Sequence, residues 1–353
     1  MRAARPATWV LTLALFPWLA PAAGAQAAAE PLPRVRLVAT GGTISNRTGG
    51  RLTAGELVGE ARGLNRYVRA EHEQFANTSS GQLTLEQWLD LARRINALFG
   101  GDADLAGVVV TCGTDTLEEL AYFLNLTVRS DRPVVLVGSM RNPSTLGYEG
   151  AANLLSGFRV AADPQSRGRG VLVVLNDEIN AAREVTKTDA VRLHTFQTRG
   201  YGVLGVVDAD RIVYYRTPVK RHTSGSEFDP DRIEALPRVD VALVYQGVDG
   251  DIVRAMVDRG ARGIVIAAAG AGATSGSLGE GITYAIDKGV VVVTTTRAGS
   301  GRVPARRRTD GAPEATRRVQ GEDLAPVKAR VLLMLALAVT DDPAAIQRMF
   351  LDY

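Results

Sequence analysis

Seven short apolar runs punctuate the chain: VRLVAT (35–40), GVVVTC (107–112), PVVLVG (133–138), GVLVVL (170–175), VALVY (241–245), GIVIAAA (263–269) and VVVVTTT (290–296). Within each run apolar residues do not alternate with polar ones, so a strand built from it must be covered on both faces. That is the situation of parallel strands lying between helices. Amphipathic stretches fill the gaps, and the pattern predicts an α/β protein with largely parallel sheets. Helices are expected over 116–128, 150–162, 251–259, 278–288 and 326–339, and over 85–99, where Thr84 and Gln87 form a capping box and Gly100-Gly101 should stop the helix. The stretch from about 213 to 238, with Pro218, Pro230, Pro237 and RHTSGSEFD, has linker composition and sets a boundary near residue 225. With 353 residues, 46% of them hydrophobic, the chain can fill two cores.

The N-terminus follows the order of a secretory signal: Arg2 and Arg5, an apolar run from Trp9 to Ala20, then Ala23-Gly24-Ala25. Removal of residues 1–25, a mature start at Gln26 and a periplasmic or secreted location are expected. The run is about a dozen residues, against roughly twenty for a bilayer span, and it contains Pro17. The net charge of +3 falls to +1 without the two arginines, which gives no support for a nucleic-acid or membrane-surface partner. Arg302, Arg306, Arg307, Arg308, Arg317 and Arg318 fall in a segment rich in Pro, Gly and Thr and read as a solvated loop. Cys112 is the one cysteine, so no internal disulfide can form. His72, His194 and His222 lack metal-ligand spacing, and no metal or other cofactor is expected.

In open α/β sheets ligands bind beyond the carboxyl ends of the strands. Three polar motifs follow apolar runs. T-G-G-T-I-S (40–45) puts Thr43 after two glycines that allow a tight turn; alone it fits a capped turn equally well. C-G-T-D-T (112–116) puts Thr114 and Asp115 at a helix start, where either is an ordinary cap. R-E-V-T-K-T-D (183–189) carries Lys187, which in isolation reads as a surface charge. Together they fit acyl transfer from an amide: a threonine hydroxyl needs a proton acceptor, a lysine or carboxylate–lysine pair can move that proton, and amides of glycine-rich turns can hold an oxyanion.

The segments VRLVATGGTIS, GVVVTCGTDTLEELAYFLNLTV, RPVVLVGSMRNPSTLGYEGAANLL, GVLVVLNDEINAAREVTKT and KARVLLMLALAVTDDPAAIQRMF resemble successive blocks of bacterial type II L-asparaginases, in order, from about residue 34 to the C-terminus. The resemblance implies a larger N-terminal α/β domain (34–222), a linker (223–239) and a smaller C-terminal parallel-sheet α/β domain (240–353). It also implies a homotetramer built as a dimer of dimers. Activity would be hydrolysis of the side-chain amide of L-asparagine, or of L-glutamine, with release of ammonia. Thr43 matches the threonine that forms the acyl-enzyme. Thr114 and Lys187 match the pair that handles protons and water, Asp115 the holder of the substrate α-ammonium, and Ser80 the serine on its α-carboxylate. The chain departs from the family pattern at the rim. Arg47 stands where the family has its activating tyrosine, the nearest tyrosine in sequence being Tyr67. Gly81 stands where glutamine is usual, with Gln82 next to it. The partner-subunit asparagine falls near Gly247, and the lid acid near Asp310 or Glu314.

G-A-G-A-T-S-G (270–276) has its third glycine misplaced for a dinucleotide motif, and no G-x-S-x-G occurs. Two other readings remain open: a periplasmic amino-acid-binding or sensor protein that has lost turnover, and an amidohydrolase for a blocked or larger amide. Retention of both threonines and the lysine weighs against the first.

Overall fold

All seven apolar runs form strands: six lie inside two sheets and VALVY forms an edge strand of the smaller one. The computed structural model describes residues 31–304 and 317–353, with a few isolated positions before residue 9. Nearly all of the predicted signal segment lies outside the described residues, as do Arg306–Arg308, Asp310 and Glu314. Eight strands make the larger sheet: Arg34–Gly41 (β1), Arg69–Thr78 (β2), Leu105–Thr111 (β3), Val134–Val137 (β4), Val171–Leu175 (β5), Glu178–Ala181 (β6), Gly205–Val207 (β7) and Ile212–Tyr214 (β8), in the order β8-β7-β6-β5-β4-β3-β1-β2. From β5 to β2 the pairing is parallel; β6, β7 and β8 add antiparallel. Val239–Leu243 (β9), Gly263–Ala268 (β10), Val291–Thr296 (β11) and Arg318–Gln320 (β12) form a smaller, wholly parallel sheet. The expected larger N-terminal and smaller C-terminal α/β halves are thus present, within one compact unit from Leu32 to Tyr353.

Strand periodicity sorts the side chains into cores. In β1, Val35, Leu37 and Ala39 point to a core covered by Ala54–Glu60 (α1) and Gly150–Ala162 (α4), whereas Val38 points to the opposite one. That second core takes in Leu85–Gly101 (α2), Leu117–Thr127 (α3) and Pro326–Val339 (α7), with Trp88 of α2 tilted 5.5 Å from Phe123 of α3. It continues without a break into Val265, Val291 and Val293 of the small sheet. Asp251–Asp258 (α5) and Leu278–Asp287 (α6) cover that sheet's other face, and Pro343–Asp352 (α8) closes the second core with Ile346 and Phe350. Each fully buried Val, Leu or Phe contributes roughly 1.5–3 kcal/mol.

One local expectation needs revision. The α2 capping box forms as read, Thr84 and Gln87 exchanging side-chain bonds with each other's N–H, but the helix runs on through Gly100 and Gly101. Neither glycine adopts the left-handed backbone that ends a helix. The stop comes at Asp102, extended and held by both guanidinium nitrogens of Arg34 at 3.2 and 2.7 Å. The Pro-rich stretch before β9 is tied down along its length. Phe228 is fully buried against Tyr353, Ser226 donates to the Leu126 carbonyl at 2.6 Å, and Arg93 of α2 donates to the carbonyls of Pro230 and Ile233.

A buried fork joins the halves: Arg183 binds Asp323 through two nitrogens at 2.8 and 3.0 Å, and Tyr201 donates to the same carboxylate. Although burial works the other way, the Arg183 bonds hold the Asp323 carboxyl well below its ordinary range. A carboxyl depressed by folding contributes stability that is present above its unfolded pKa and lost as pH falls through the folded one. Asp323→Asn should therefore cost about 3 kcal/mol at pH 7. Below about pH 4 the gap from wild type should narrow; urea denaturation at several pH values measures both effects.

Candidate active site

The loops beyond the carboxyl ends of β1, β2 and β3 meet through glycines. Gly41 and Gly42 have φ of +104° and +91°, and a Cβ on Gly42 would lie 2.4 Å from the Gly113 nitrogen. On Gly41 it would lie 2.4 Å from the Thr78 carbonyl oxygen, and on Gly113, 2.8 Å from Ser80 Oγ. The Gly42 N–H donates to the Thr78 carbonyl at 2.8 Å, and the Thr40 hydroxyl to the Thr111 carbonyl at 2.6 Å. The first threonine motif, the Ser80 turn and the second threonine motif are therefore in backbone contact, which only glycine at these points allows.

Thr43 opens a single 3-10 turn, Thr43–Ser45, and is half-buried. Ile44 beneath it is fully buried, and its carbonyl accepts from the Tyr148 hydroxyl at 2.9 Å. Burial, with Glu60 and Glu149 nearby, pushes that hydroxyl well above the ordinary tyrosine range, so it stays a donor. Thr114 is buried at the start of α3. Lys187 lies in a two-residue antiparallel ladder, Thr186–Lys187 against Phe196–Gln197, and its ammonium donates to Thr114 Oγ1 at 3.0 Å and to Asp115 Oδ1 at 2.7 Å. The Lys187 side chain is 15% exposed and that of Asp115 84%, so the pair has a protein end and a solvent end. Ser80 is buried, whereas Gly81 and Gln82 are exposed and a Cβ on Gly81 would meet nothing within 4 Å. Cys112 is wholly buried and burial pushes its thiol up to about 12, so it holds no thiolate for attack.

The rim residues separate. Arg47 sits in the hairpin Asn46–Arg47/Gly50–Arg51 just past Thr43 and pairs with Glu56 at 3.0 Å in solvent. Tyr67 precedes the start of β2, stacked with Arg159, and β2 runs parallel to β1 from Arg34↔Arg69. It therefore lies at the far end of the sheet from Thr43, roughly 25 Å away along the strand. The tyrosine beside the Thr43 turn is Tyr148, which sequence reading passed over although it too follows a strand end. Gly247 occupies a left-handed turn after β9, its N–H bonded to Ser275. A cavity of about 560 Å³ is lined by Arg183, Thr186, Tyr201, Arg302, Asp323 and Lys328 among others, but by none of Thr43, Ser80, Thr114, Asp115 or Lys187. Among the described residues no cluster of His, Cys, Asp and Glu could hold a metal ion, and no helix is long and apolar enough to cross a membrane.

Residues 34–220 match the family model for the asparaginase N-terminal domain and residues 238–350 that for the glutaminase/asparaginase C-terminal domain. The chain belongs to the asparaginase family. It is 40% identical to L-asparaginase 2 of Bacillus subtilis (92% of this chain, 88% of that one) and 39% identical to L-asparaginase 2 of Escherichia coli (94% and 96%). The crystal structure of a probable cytoplasmic L-asparaginase from Campylobacter jejuni superposes with a TM-score of 0.86 at 36% identity, over 91% of this chain and all of that one. In this asparaginase-family chain the glycine contacts make a sharp contrast testable. Gly42→Ala should destabilise by about 2–4 kcal/mol, through left-handed strain and the clash with Gly113. Gly81→Ala should leave stability at or slightly above wild type, by up to about 1 kcal/mol; thermal melts of the two variants decide.

Proposed function

We propose that the chain is an L-asparaginase-type amidohydrolase that releases ammonia from L-asparagine, and from L-glutamine to an extent set by the rim. The observation that carries this reading is the Lys187 ammonium bonded to Thr114 and Asp115, beside the loop that holds Thr43. The Thr43 hydroxyl attacks the side-chain carbonyl carbon and forms a C–O bond. Its proton passes to the amide nitrogen, the C–N bond breaks, and ammonia leaves. Water then cleaves the acyl ester, with Thr114 positioning it and Lys187 handling the proton. The solvent-facing Asp115 carboxylate takes the substrate α-ammonium and Ser80 the α-carboxylate. A threonine, a lysine and water carry every step without a cofactor.

The remaining parts of the reading rest on sequence pattern and family resemblance. They are cleavage after Ala25 and export to the periplasm or beyond, a homotetramer of paired dimers, and domains over 34–222 and 240–353 joined by 223–239. The Campylobacter relative bears a cytoplasmic description and a Haemophilus influenzae relative a periplasmic one, so export here rests on the N-terminal pattern. Asp310 or Glu314 is the proposed lid acid.

Ammonia release by purified protein from L-asparagine and L-glutamine tests the activity; no release from either would favour the binding or sensor reading. Thr43→Ala and Lys187→Met should each lower turnover by at least about two orders of magnitude with Tm unchanged. Gly81→Gln should lower KM for L-asparagine about ten- to hundredfold with kcat changed less, because a charge-assisted bond to the α-carboxylate is worth roughly 1.5–3 kcal/mol. A Cβ at Gly81 meets no atom within 4 Å. An unchanged KM would mean that another group holds the carboxylate.

A further inference from the structure

We propose that Glu118 and Lys328 are positioning residues for Lys187: together they pin residues 182–187 so that only the Lys187 side chain is left to reach Thr114 and Asp115. The inference rests on the reading of Lys187 as the group that handles protons.

Lys328 lies in the first turn of α7, is fully buried, and donates through its ammonium to the carbonyls of Ala182 (2.9 Å), Arg183 (3.0 Å) and Val185. Burial pulls this lysine down to about 8, with Glu118 pulling the other way. A buried ammonium at the positive end of a helix is costly unless its donors are satisfied and an anion is near. Three carbonyls meet the first need and Glu118, 4.0 Å away, the second. Glu118 is itself divided between two tasks. Its Oε1 accepts from the Thr186 hydroxyl at 3.1 Å and from the Lys187 N–H at 3.2 Å, while its buried Oε2 accepts no hydrogen bond and lies nearest Lys328. Glu118 lies in the first turn of α3, directly after the turn that carries Thr114 and Asp115, so one short segment holds both the acceptors of the Lys187 ammonium and the anchor of its backbone. The other charges of this region are engaged elsewhere: Arg183 with Asp323, Glu184 with Arg216, and Glu119 with Arg330.

Glu118→Gln keeps an oxygen for Thr186 and Lys187 but removes the charge that faces Lys328. With full-length mature protein, kcat for L-asparagine should fall about tenfold and KM change less than about threefold, the mark of a misplaced proton-handling group with substrate binding intact. Should that variant not fold, as judged by its melting curve, Thr186→Val removes one of the Oε1 bonds more gently and should lower kcat in the same direction. The deciding measurement is a double-mutant cycle. In a Lys187→Met background, Glu118→Gln or Thr186→Val should change the residual ammonia release by less than about twofold, because the group being positioned is gone. A merely structural role predicts the same fold-loss in both backgrounds, and that result would overturn the inference while leaving the function of Lys187 intact. Full activity in Lys187→Met alone would instead overturn the functional reading on which it stands.

Discussion

From Pro326 to Val339, α7 has almost no solvent face: Val331, Leu332, Leu333, Met334, Leu335 and Ala336 are all fully buried. It packs on α3, which backs the large sheet, and on β9, β10 and β11 of the small one. A helix buried on almost every side, its Lys328 and Arg330 bonded to protein groups, has nowhere to go but between two layers, and its burial fuses what would otherwise be two separate cores into one. The Arg183–Asp323 fork and the Lys328 contacts add directional bonds across the same junction. Apolar burial supplies the affinity between the halves, and the polar bonds fix their angle.

The site inherits that rigidity. Parallel pairing of β1 with both β2 and β3 aligns three carboxyl ends, and glycine at 42 and 113 lets the loops beyond them close to backbone contact. The antiparallel β5–β6 hairpin turns tightly at Asn176–Asp177, both left-handed with φ of +55° and +62°. It returns the chain toward α3, and the segment after it ends in Lys187. A lysine that sequence alone makes a surface charge thereby becomes a half-buried donor to a threonine. The solvent end of the pair, Asp115, stays exposed.

Much of this is legible in the sequence alone. Runs of Val, Leu and Ile without alternation fix strands covered on both faces, and the Thr84–Gln87 box fixes where α2 begins, because both are local or nearest-neighbour effects. The two threonine motifs and Lys187 could be flagged because polar residues after buried strands need a reason to be there. β2 was not legible: RAEHEQFANT is an edge strand with no buried residue, and its Glu71 and Glu73 pair with Arg34, Arg36 and Arg94 on other elements. Yet β2 is the strand that delivers Ser80 to the site.

The sequence by itself determined the strand runs, most of the helices and the chemical types available at strand ends, since these follow from periodicity and from what each residue type can do. Tertiary structure alone decided which of those groups meet. It chose Tyr148 over Tyr67 as the tyrosine beside the Thr43 turn, because parallel pairing sends Tyr67 to the opposite end of the sheet. It also gave Glu118 and Lys328 their place behind Lys187. A glutamate on a helix and a lysine in an apolar run look unremarkable until folding removes the water around them, brings them together, and leaves three carbonyls to the lysine and the Thr186 hydroxyl and Lys187 N–H to the glutamate.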